Sequence, residues 1–376
     1  MKTFFGRKAI TTKDADGKTV TINERAQVAW NVSVVDSIVQ LLDEDGPPAK
    51  AMLEWSRRWA NGRPASPPGE VVYRDWDDGT LLDDHPALSQ PEPDPYVIRV
   101  PIMTYGDGCE ATKLNSTSRG VHNLWGQYAT PLSVPRAMRF SHDVLFPVTI
   151  VPEGVLKDVH PVRVIAGADP QTGKILNDVK PTFGSDMRAA YGLPGEGGID
   201  IGEGRILKLY LVLAMYDYPA RGLNTPFSVA TGADEFCFKC HIKRGKPSRS
   251  ILAALFSADV SDIPKQRTHG EALKVIKLAT KMKSATDRAA FMKKHGCYGI
   301  GGNRWKGAVY FALHPDFFPG FDYLEGCPND SMHTIAEGGP KHESVGMLSD
   351  FIYKSKFMTL DEVRMRLSNA SILIPF

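Results

Sequence analysis

The feature that most constrains the fold is a near-continuous apolar run, Ile206–Tyr216, with the sequence ILKLYLVLAMY. Runs of this kind are typical of strands that are buried on both faces of a sheet, because a strand with one wet face alternates apolar and polar residues. The run stops at Asp217, which is followed by Tyr218 and Pro219. The sequence therefore predicts a sheet with this strand at its centre and a carboxylate where the strand ends.

Further strands are predicted before this run, and helices on both sides of it. The strand candidates, which could pair as a meander, are Tyr96–Tyr105, Val121–Tyr128 and Val144–Val151. Apolar residues at helical spacing predict helices at Asn23–Asp43, Pro48–Ala60, Thr172–Tyr191 and Glu271–Lys294. Strands and helices in one chain predict an α/β fold.

Composition marks a boundary near the N-terminus. Residues 62–95 are rich in Pro, Gly and Asp, which predicts an irregular surface connector between a helical segment, 1–61, and the rest of the chain. The 376 residues are enough for two or three domains.

Charge and hydropathy exclude some classes of protein. With 45 Lys and Arg against 43 Asp and Glu, a nucleic-acid surface would have to be a local patch. The apolar run is too short to cross a bilayer, and the first residues lack an apolar signal core, so we expect an intracellular protein without a membrane partner. Five cysteines are few for this length and odd in number, which argues against a disulfide framework.

Two aspartates could hold a divalent cation. Asp107 and Asp217 each follow a predicted strand, so each carboxylate would stand at a strand end with its backbone fixed by a packed core. Enzymes that cut or join phosphodiesters hold Mg²⁺ with carboxylates from separate strands. The alternative is that both residues only form turns, the commoner role of an aspartate followed by Gly or Pro.

The sequence around these aspartates contains several short motifs in a defined order. They are YGDG (105–108), DYPA (217–220), CFKC (237–240), DSMH (330–333) and EG (337–338). In order and spacing they resemble the catalytic region of CACTA-type (En/Spm-like) DNA transposases, with its NDFPA, CPxC and DxMH elements. The resemblance extends over about residues 75–346.

The resemblance implies an RNase H-like mixed sheet flanked by helices, with loop-rich insertions, over residues 96–346. It implies that Asp107 and Asp217 bind Mg²⁺ or Mn²⁺ for cleavage and transfer of DNA strands at transposon ends, in the nucleus, and a homo-oligomer is compatible with this function. The family's third acid is expected on a helix after DxMH, and Glu337 is the nearest substitute in this chain. Residues 347–376 would then be the start of a helical insertion or a truncated C-terminal segment.

The CFKC motif has the spacing of a zinc knuckle, in which Cys237 and Cys240 would supply two thiolates. Two more ligands are needed, and the candidates are His241, His333, His342 and Cys327. A chance occurrence and a redox pair are the alternatives. For His333 the family resemblance suggests a different place, beside the catalytic centre and together with Asp330.

A basic run follows the first thiolate of this motif and is the candidate DNA-binding segment. Its members are Lys239, Lys243, Arg244, Lys246 and Arg249. Such a cluster could contact phosphates, or it could be an ordinary solvated loop. Two rival functions also stay open: a catalytically inactive or domesticated transposase-derived DNA-binding or scaffold protein stabilised by zinc, and a zinc-stabilised interaction module.

Overall fold

A computed structural model gives the architecture. It describes residues 2–13, 19–62, 80–110, 123–156, 158–179, 181–216, 221–222, 224–226, 241, 265–297 and 308–328. The strands are β1 (Lys2–Lys13), β2 (Thr19–Asn31), β3 (Val97–Glu110), β4 (Asn123–Pro131), β5 (Phe146–Pro152), β6 (Ile199–Asp200) and β7 (Ile206–Tyr216). The helices are α1 (Val34–Asp43), α2 (Pro47–Arg58), α3 (Glu153–Leu156), α4 (Phe183–Ala190), α5 (His269–Thr280) and α6 (Ala285–Lys294).

The described strands form one seven-stranded mixed sheet in the order β1-β2-β5-β4-β3-β7-β6. Strands β3, β4 and β5 are an antiparallel meander, as their sequences predict. The chain then passes through α3, a π-helical turn at Val162–Ala166 and α4 before it returns as β7, which runs parallel to β3. Parallel neighbours need a crossover of this kind. The protein is therefore a mixed α/β protein, and none of its described helices is long and apolar enough to cross a membrane.

The helix predicted from Asn23 begins only at Val34, and the prediction is wrong for the residues before it. Thr19–Asn31 is a strand that pairs with β1 along most of its length and joins β5 through Trp30↔Ile150 and Asn31↔Thr149. Pairing with β1 and β5 overrides the local spacing of apolar residues here. Helix α1 starts after Ser33, whose hydroxyl accepts a hydrogen bond from the Asp36 amide and caps the first turn.

Both N-terminal helices pack on the sheet. Helix α1 buries Val34 and Ile38, and α2 buries Ala49 and Met52, in the same cluster as Val100 of β3 and its neighbours on β7. The helix predicted at Pro48–Ala60 is confirmed by α2, which spans Pro47–Arg58. The helices and the sheet thus share one hydrophobic core.

Two other predicted helices are shorter than their apolar patterns. Within Thr172–Tyr191 only Phe183–Ala190 is helical, and it begins at a reciprocal cap between Thr182 and Ser185. The segment Glu271–Lys294 is two helices, α5 and α6, because Ser284 caps a new helix through the Asp287 amide. In both cases a capping side chain sets the boundary.

Strand β7 is buried on both faces, as its sequence predicts, but it lies next to the short edge strand β6 and not at the centre of the sheet. Strand β6 pairs only with Ile206 and Leu207. Further along, the Ala214 amide donates to the Gly326 carbonyl at 2.7 Å, so the segment 308–328 covers this part of the edge. A Cβ at Gly326 would stand 2.7 Å from the Val212 oxygen, which explains why a glycine lies there.

Charged side chains are buried where β3 and β7 begin. Lys208 Nζ lies 2.8 Å from Glu92 Oε2, and the two side chains are only 1% and 2% exposed. The same ammonium donates to the Leu193 carbonyl, while Glu92 Oε1 accepts from the Gly195 amide. This pair ties the connector before β3 and the loop before β6 to the sheet.

Candidate functional site

The parallel pairing of β3 and β7 brings the carboxyl ends of both strands to one edge of the sheet. Gly106 is the partner of Tyr216, the last residue of β7. Strand β3 continues beyond this pair to Glu110, and Asp107 pairs with Gly126 of β4. Asp107 therefore lies inside an extended strand, so the prediction that the strand stops before it is wrong.

The Asp107 carboxylate is half-exposed and held by its own strand. The Tyr105 hydroxyl donates to Oδ2 at 3.0 Å, and the Gly108 amide donates to Oδ1 at 2.6 Å. Tyr105 and Asp107 lie on the same face because side chains two residues apart on a strand point the same way. A carboxylate oxygen has two lone pairs, so each oxygen keeps one acceptor site for a cation or a further donor.

Gly106 lets the aromatic side chains of two neighbouring strands close against β3. A Cβ at this position would stand 2.7 Å from Tyr216 Cε1 and 3.0 Å from Trp125 Cζ2. Both rings are almost completely buried. The glycine of the YGDG motif is thus required for close packing between strands.

A buried hydrogen-bond network joins the three strands behind Asp107. Gln127 Nε2 donates to Thr104 Oγ1 and to Tyr216 Oη, both at 3.0 Å. The Thr104 hydroxyl in turn donates to the Tyr128 carbonyl at 2.9 Å. Complete burial raises the pKa of the Tyr216 phenol well above its ordinary value. Tyr216 therefore stays neutral, and its hydroxyl is a fixed hydrogen-bond acceptor for Gln127.

Arg221 fixes the backbone where β7 ends. Its buried guanidinium donates to the Pro328 carbonyl at 2.7 Å and to the Tyr216 carbonyl at 3.4 Å. The end of β7 is therefore tied to the end of the segment 308–328. Arg221 belongs to the sequence that follows DYPA, but its partner Pro328 is more than a hundred positions away, so the sequence does not reveal the contact.

Most of the predicted site residues lie outside the described residues. They are Asp217, Glu337, Cys237, Cys240, His333, Lys239, Lys243, Arg244, Lys246 and Arg249. Two candidate zinc ligands are described: Cys327 is buried, and His241 Nε2 lies 3.7 Å from the Glu271 carboxylate. Among the residues that the structure describes, no three His, Cys, Asp or Glu side chains are grouped as a metal site would need.

An acidic cleft of about 600 Å³ lies beside the middle of β7. Its charged lining residues are Asp83, Asp84, Asp322 and Glu325. Burial would raise the pKa of Asp322, but hydrogen bonding to His269, the charge of that imidazole and the Leu324 and Glu325 amides outweigh it and lower the pKa. Asp322 therefore stabilises a local turn, because its Oδ1 accepts from the Leu324 and Glu325 amides.

Sequence reasoning missed the residues that support Asp107. Tyr105 could have been found, because its spacing of two from Asp107 in a strand predicts a shared face. Gln127 and Arg221 had no local signal, since their partners come from other strands and loops.

Comparison with known proteins adds no assignment to this geometry. No protein-family model matches the chain, and no curated protein is significantly similar to it. The fold defines a mixed α/β protein, and the functional class has to be argued from the site.

Proposed function

We propose that this chain is a transposase-like protein that cleaves and transfers DNA strands with divalent metal ions held by Asp107 and Asp217 in an RNase H-like core. The observation that carries the proposal is the parallel pairing of β3 with β7, which sets Gly106 opposite Tyr216. Asp107 follows Gly106 in the sequence, and Asp217 follows Tyr216.

Covalent geometry strengthens this argument. Consecutive Cα atoms are about 3.8 Å apart and paired strands about 4.8 Å apart, and Asp107 and Asp217 each directly follow one member of the Gly106–Tyr216 pair. Asp107 lies within β3, one residue beyond Gly106, with an oriented, half-exposed carboxylate. A shared cation site needs acids on a rigid support, which the sheet provides for Asp107.

The chemistry of Asp107 fits a hard cation. Mg²⁺ and Mn²⁺ prefer carboxylate oxygens, and when bound they activate the attacking oxygen and stabilise the leaving oxygen of a phosphodiester. Tyr105 and Gly108 would hold the Asp107 carboxylate in one orientation, while Gln127 and Arg221 keep the two strand ends in register. In phosphoryl transfer, positioning and electrostatic stabilisation are the main tasks of the protein.

The remaining predictions belong to the same proposal. Glu337 would supply a third acid, Cys237 and Cys240 would hold a structural Zn²⁺, and DNA in the nucleus would be the partner. A catalytically inactive relic that keeps the fold and binds DNA is the rival, and the assay below separates the two.

A nicking assay on supercoiled DNA with Mg²⁺ or Mn²⁺ tests the catalytic proposal. Loss of a carboxylate that supports a metal indirectly costs about 10–100-fold, so we expect at least about 100-fold loss of nicking in Asp107→Asn and in Asp217→Asn. Asp143→Asn is the matched control, because Asp143 is exposed in the loop before β5 and removes the same charge.

Three outcomes decide the matter. Loss in both variants with an active control supports the proposal. Equal nicking by the wild type and all variants would show a contaminating nuclease or another site. No nicking by any form, with DNA binding retained, would favour the inactive relic.

A further inference from the structure

A second cleft, of about 630 Å³, lies between helices α5 and α6 and the residues before α5. The side chains that line it include four cations and one carboxylate. The cations are Lys265, Arg267, Lys274 and Lys294. A cleft lined by one sign of charge focuses its field and attracts ligands of the opposite sign.

The carboxylate, Glu271, is already engaged at the rim. It is hydrogen-bonded to the Lys265 ammonium, and it closes the cap of α5 with Thr268. Hydrogen bonding to Lys265 is the largest cause that lowers the pKa of Glu271, to about 2. Glu271 therefore balances Lys265, and the structure shows no carboxylate bound to Lys274 or Lys294 within the described part of the chain.

The floor of the cleft is apolar. Leu278 of α5 lines the cleft and is 43% exposed, although it is a large apolar side chain. Phe291 lies across from it on α6, with its ring 4.6 Å from that of His295. Flat apolar and aromatic surfaces beside cations are typical of sites where bases stack and the backbone is held by charge.

The cleft also adjoins the basic run of the sequence. The His241 amide donates to the Lys265 carbonyl at 2.9 Å, and His241 itself lines the cleft. His241 lies within the stretch that begins at Lys239 and ends at Arg249.

We propose that this cleft binds single-stranded DNA, with phosphates on Lys274 and Lys294 and an unstacked base against Leu278 and Phe291. The choice of DNA rests on the proposed function, while the cleft itself rests on its charge and apolar floor. A single strand fits better than a duplex, because only unpaired bases can offer their faces to a concave apolar floor.

The test measures binding of a fluorescein-labelled oligothymidine to the full chain by fluorescence anisotropy. EDTA is present, so binding is measured without metal-dependent cleavage. The cleft variant is Lys274→Gln with Lys294→Gln, and the matched control is Lys277→Gln with Lys293→Gln. The control removes two exposed charges from the same helices, at positions that do not line the cleft.

We expect the cleft variant to bind at least about tenfold more weakly and the control to change by less than about twofold. The slope of log K against log salt should fall by about 1.4 in the cleft variant, since each phosphate contact on a single strand contributes about 0.7. Leu278→Ala should weaken binding several-fold without changing that slope, because it removes a stacking surface and no charge.

Equal weakening by the cleft and control variants would overturn the site. Tighter binding of a duplex than of the single strand would overturn the ligand, as would equal competition by a polyglutamate peptide. The outcome is independent of the nicking assay: a protein that fails to nick could still bind here, and a protein that nicks could lack this site.

Discussion

The two ends of the β3–β7 pair differ in how they treat charge. At the amino-terminal end, Lys208 and Glu92 are sealed from water, and each is bound by several internal partners. At the carboxyl-terminal end, Asp107 stays half-exposed and is bound only within its own strand. We therefore expect loss of a charge at the sealed end to lower the free energy of unfolding, whereas loss of the Asp107 carboxylate at the open end should lower the proposed activity.

The largest effect on stability is expected when one partner of the buried Lys208–Glu92 pair is removed. Lys208→Met leaves the Glu92 carboxylate buried without its cation, which typically costs about 3–5 kcal/mol of the free energy of unfolding. Urea denaturation measures the loss. Arg205→Gln is the control, because Arg205 makes only longer contacts with the exposed Asp43 and Glu203 and should cost less than about 1 kcal/mol.

A double variant shows whether the loss of stability in Lys208→Met comes from the unpaired Glu92 charge. Adding Glu92→Gln to Lys208→Met removes both charges and should recover a large part of the stability. Equal, small losses in Lys208→Met and Arg205→Gln would mean that the pair is not sealed.

The sealed end should also be sensitive to acid. His85 packs edge-on against Tyr210, and its Nδ1 accepts from the Ala87 and Leu88 amides. Burial, helped by the nearby Arg99 charge, lowers the pKa of His85 from 6.5 to about 4. Between these values the unfolded chain binds a proton that the folded chain does not, so stability is complete above about pH 6.5 and falls as the pH drops toward 4.

The expected loss from His85 alone is roughly 3 kcal/mol. Asn can accept the same amide hydrogen bonds without titrating in this range. His85→Asn should therefore reduce the pH dependence of the free energy of unfolding, measured by urea denaturation, by that amount. His142→Asn, at an exposed position in the loop before β5, is the matched control. An unchanged slope in His85→Asn would place the acid sensitivity elsewhere, for example at the buried His160 and His314, whose pKa values burial also lowers.

The smallest effect comes from two glycines at the open end. Gly106→Ala places a methyl group 2.7 Å from the Tyr216 ring and should cost about 1–3 kcal/mol. Gly108→Ala meets no atom within 4 Å and should change stability by less than about 0.5 kcal/mol. Urea denaturation of the two variants compares positions two residues apart on one strand, and equal effects would contradict the close approach of β7 at Gly106.

Local patterns predicted the elements whose signal is contained in their own residues. The apolar run at Ile206–Tyr216 and the meander before it are confirmed, because burial on both faces and β propensity are visible in short windows. The strand at Thr19–Asn31 is not visible in its own residues, because its apolar residues have helical spacing and its strand state depends on pairing with the preceding strand β1 and with the more distant β5. The split between α5 and α6 could have been predicted from Ser284 and Asp287, which form a recognisable helix start.

The same distinction applies to the site. The chemical type of Asp107 and its place near a strand end were predictable, but its position inside the strand was not, because a Gly-Asp-Gly sequence usually indicates a turn. Only the packing of Tyr216 and Trp125 against Gly106 shows why an extended glycine is needed there. The partners of Gln127 and Arg221 depend on the tertiary fold.

The segment 308–328, which covers part of the edge of β7, has a consequence for self-association. An open strand edge is a template on which a second copy of a chain can add its own strand. At Ala214 that template is occupied by the Gly326 carbonyl, from a segment without regular secondary structure. A neighbouring molecule would first have to displace this segment, so the covered edge resists polymerisation.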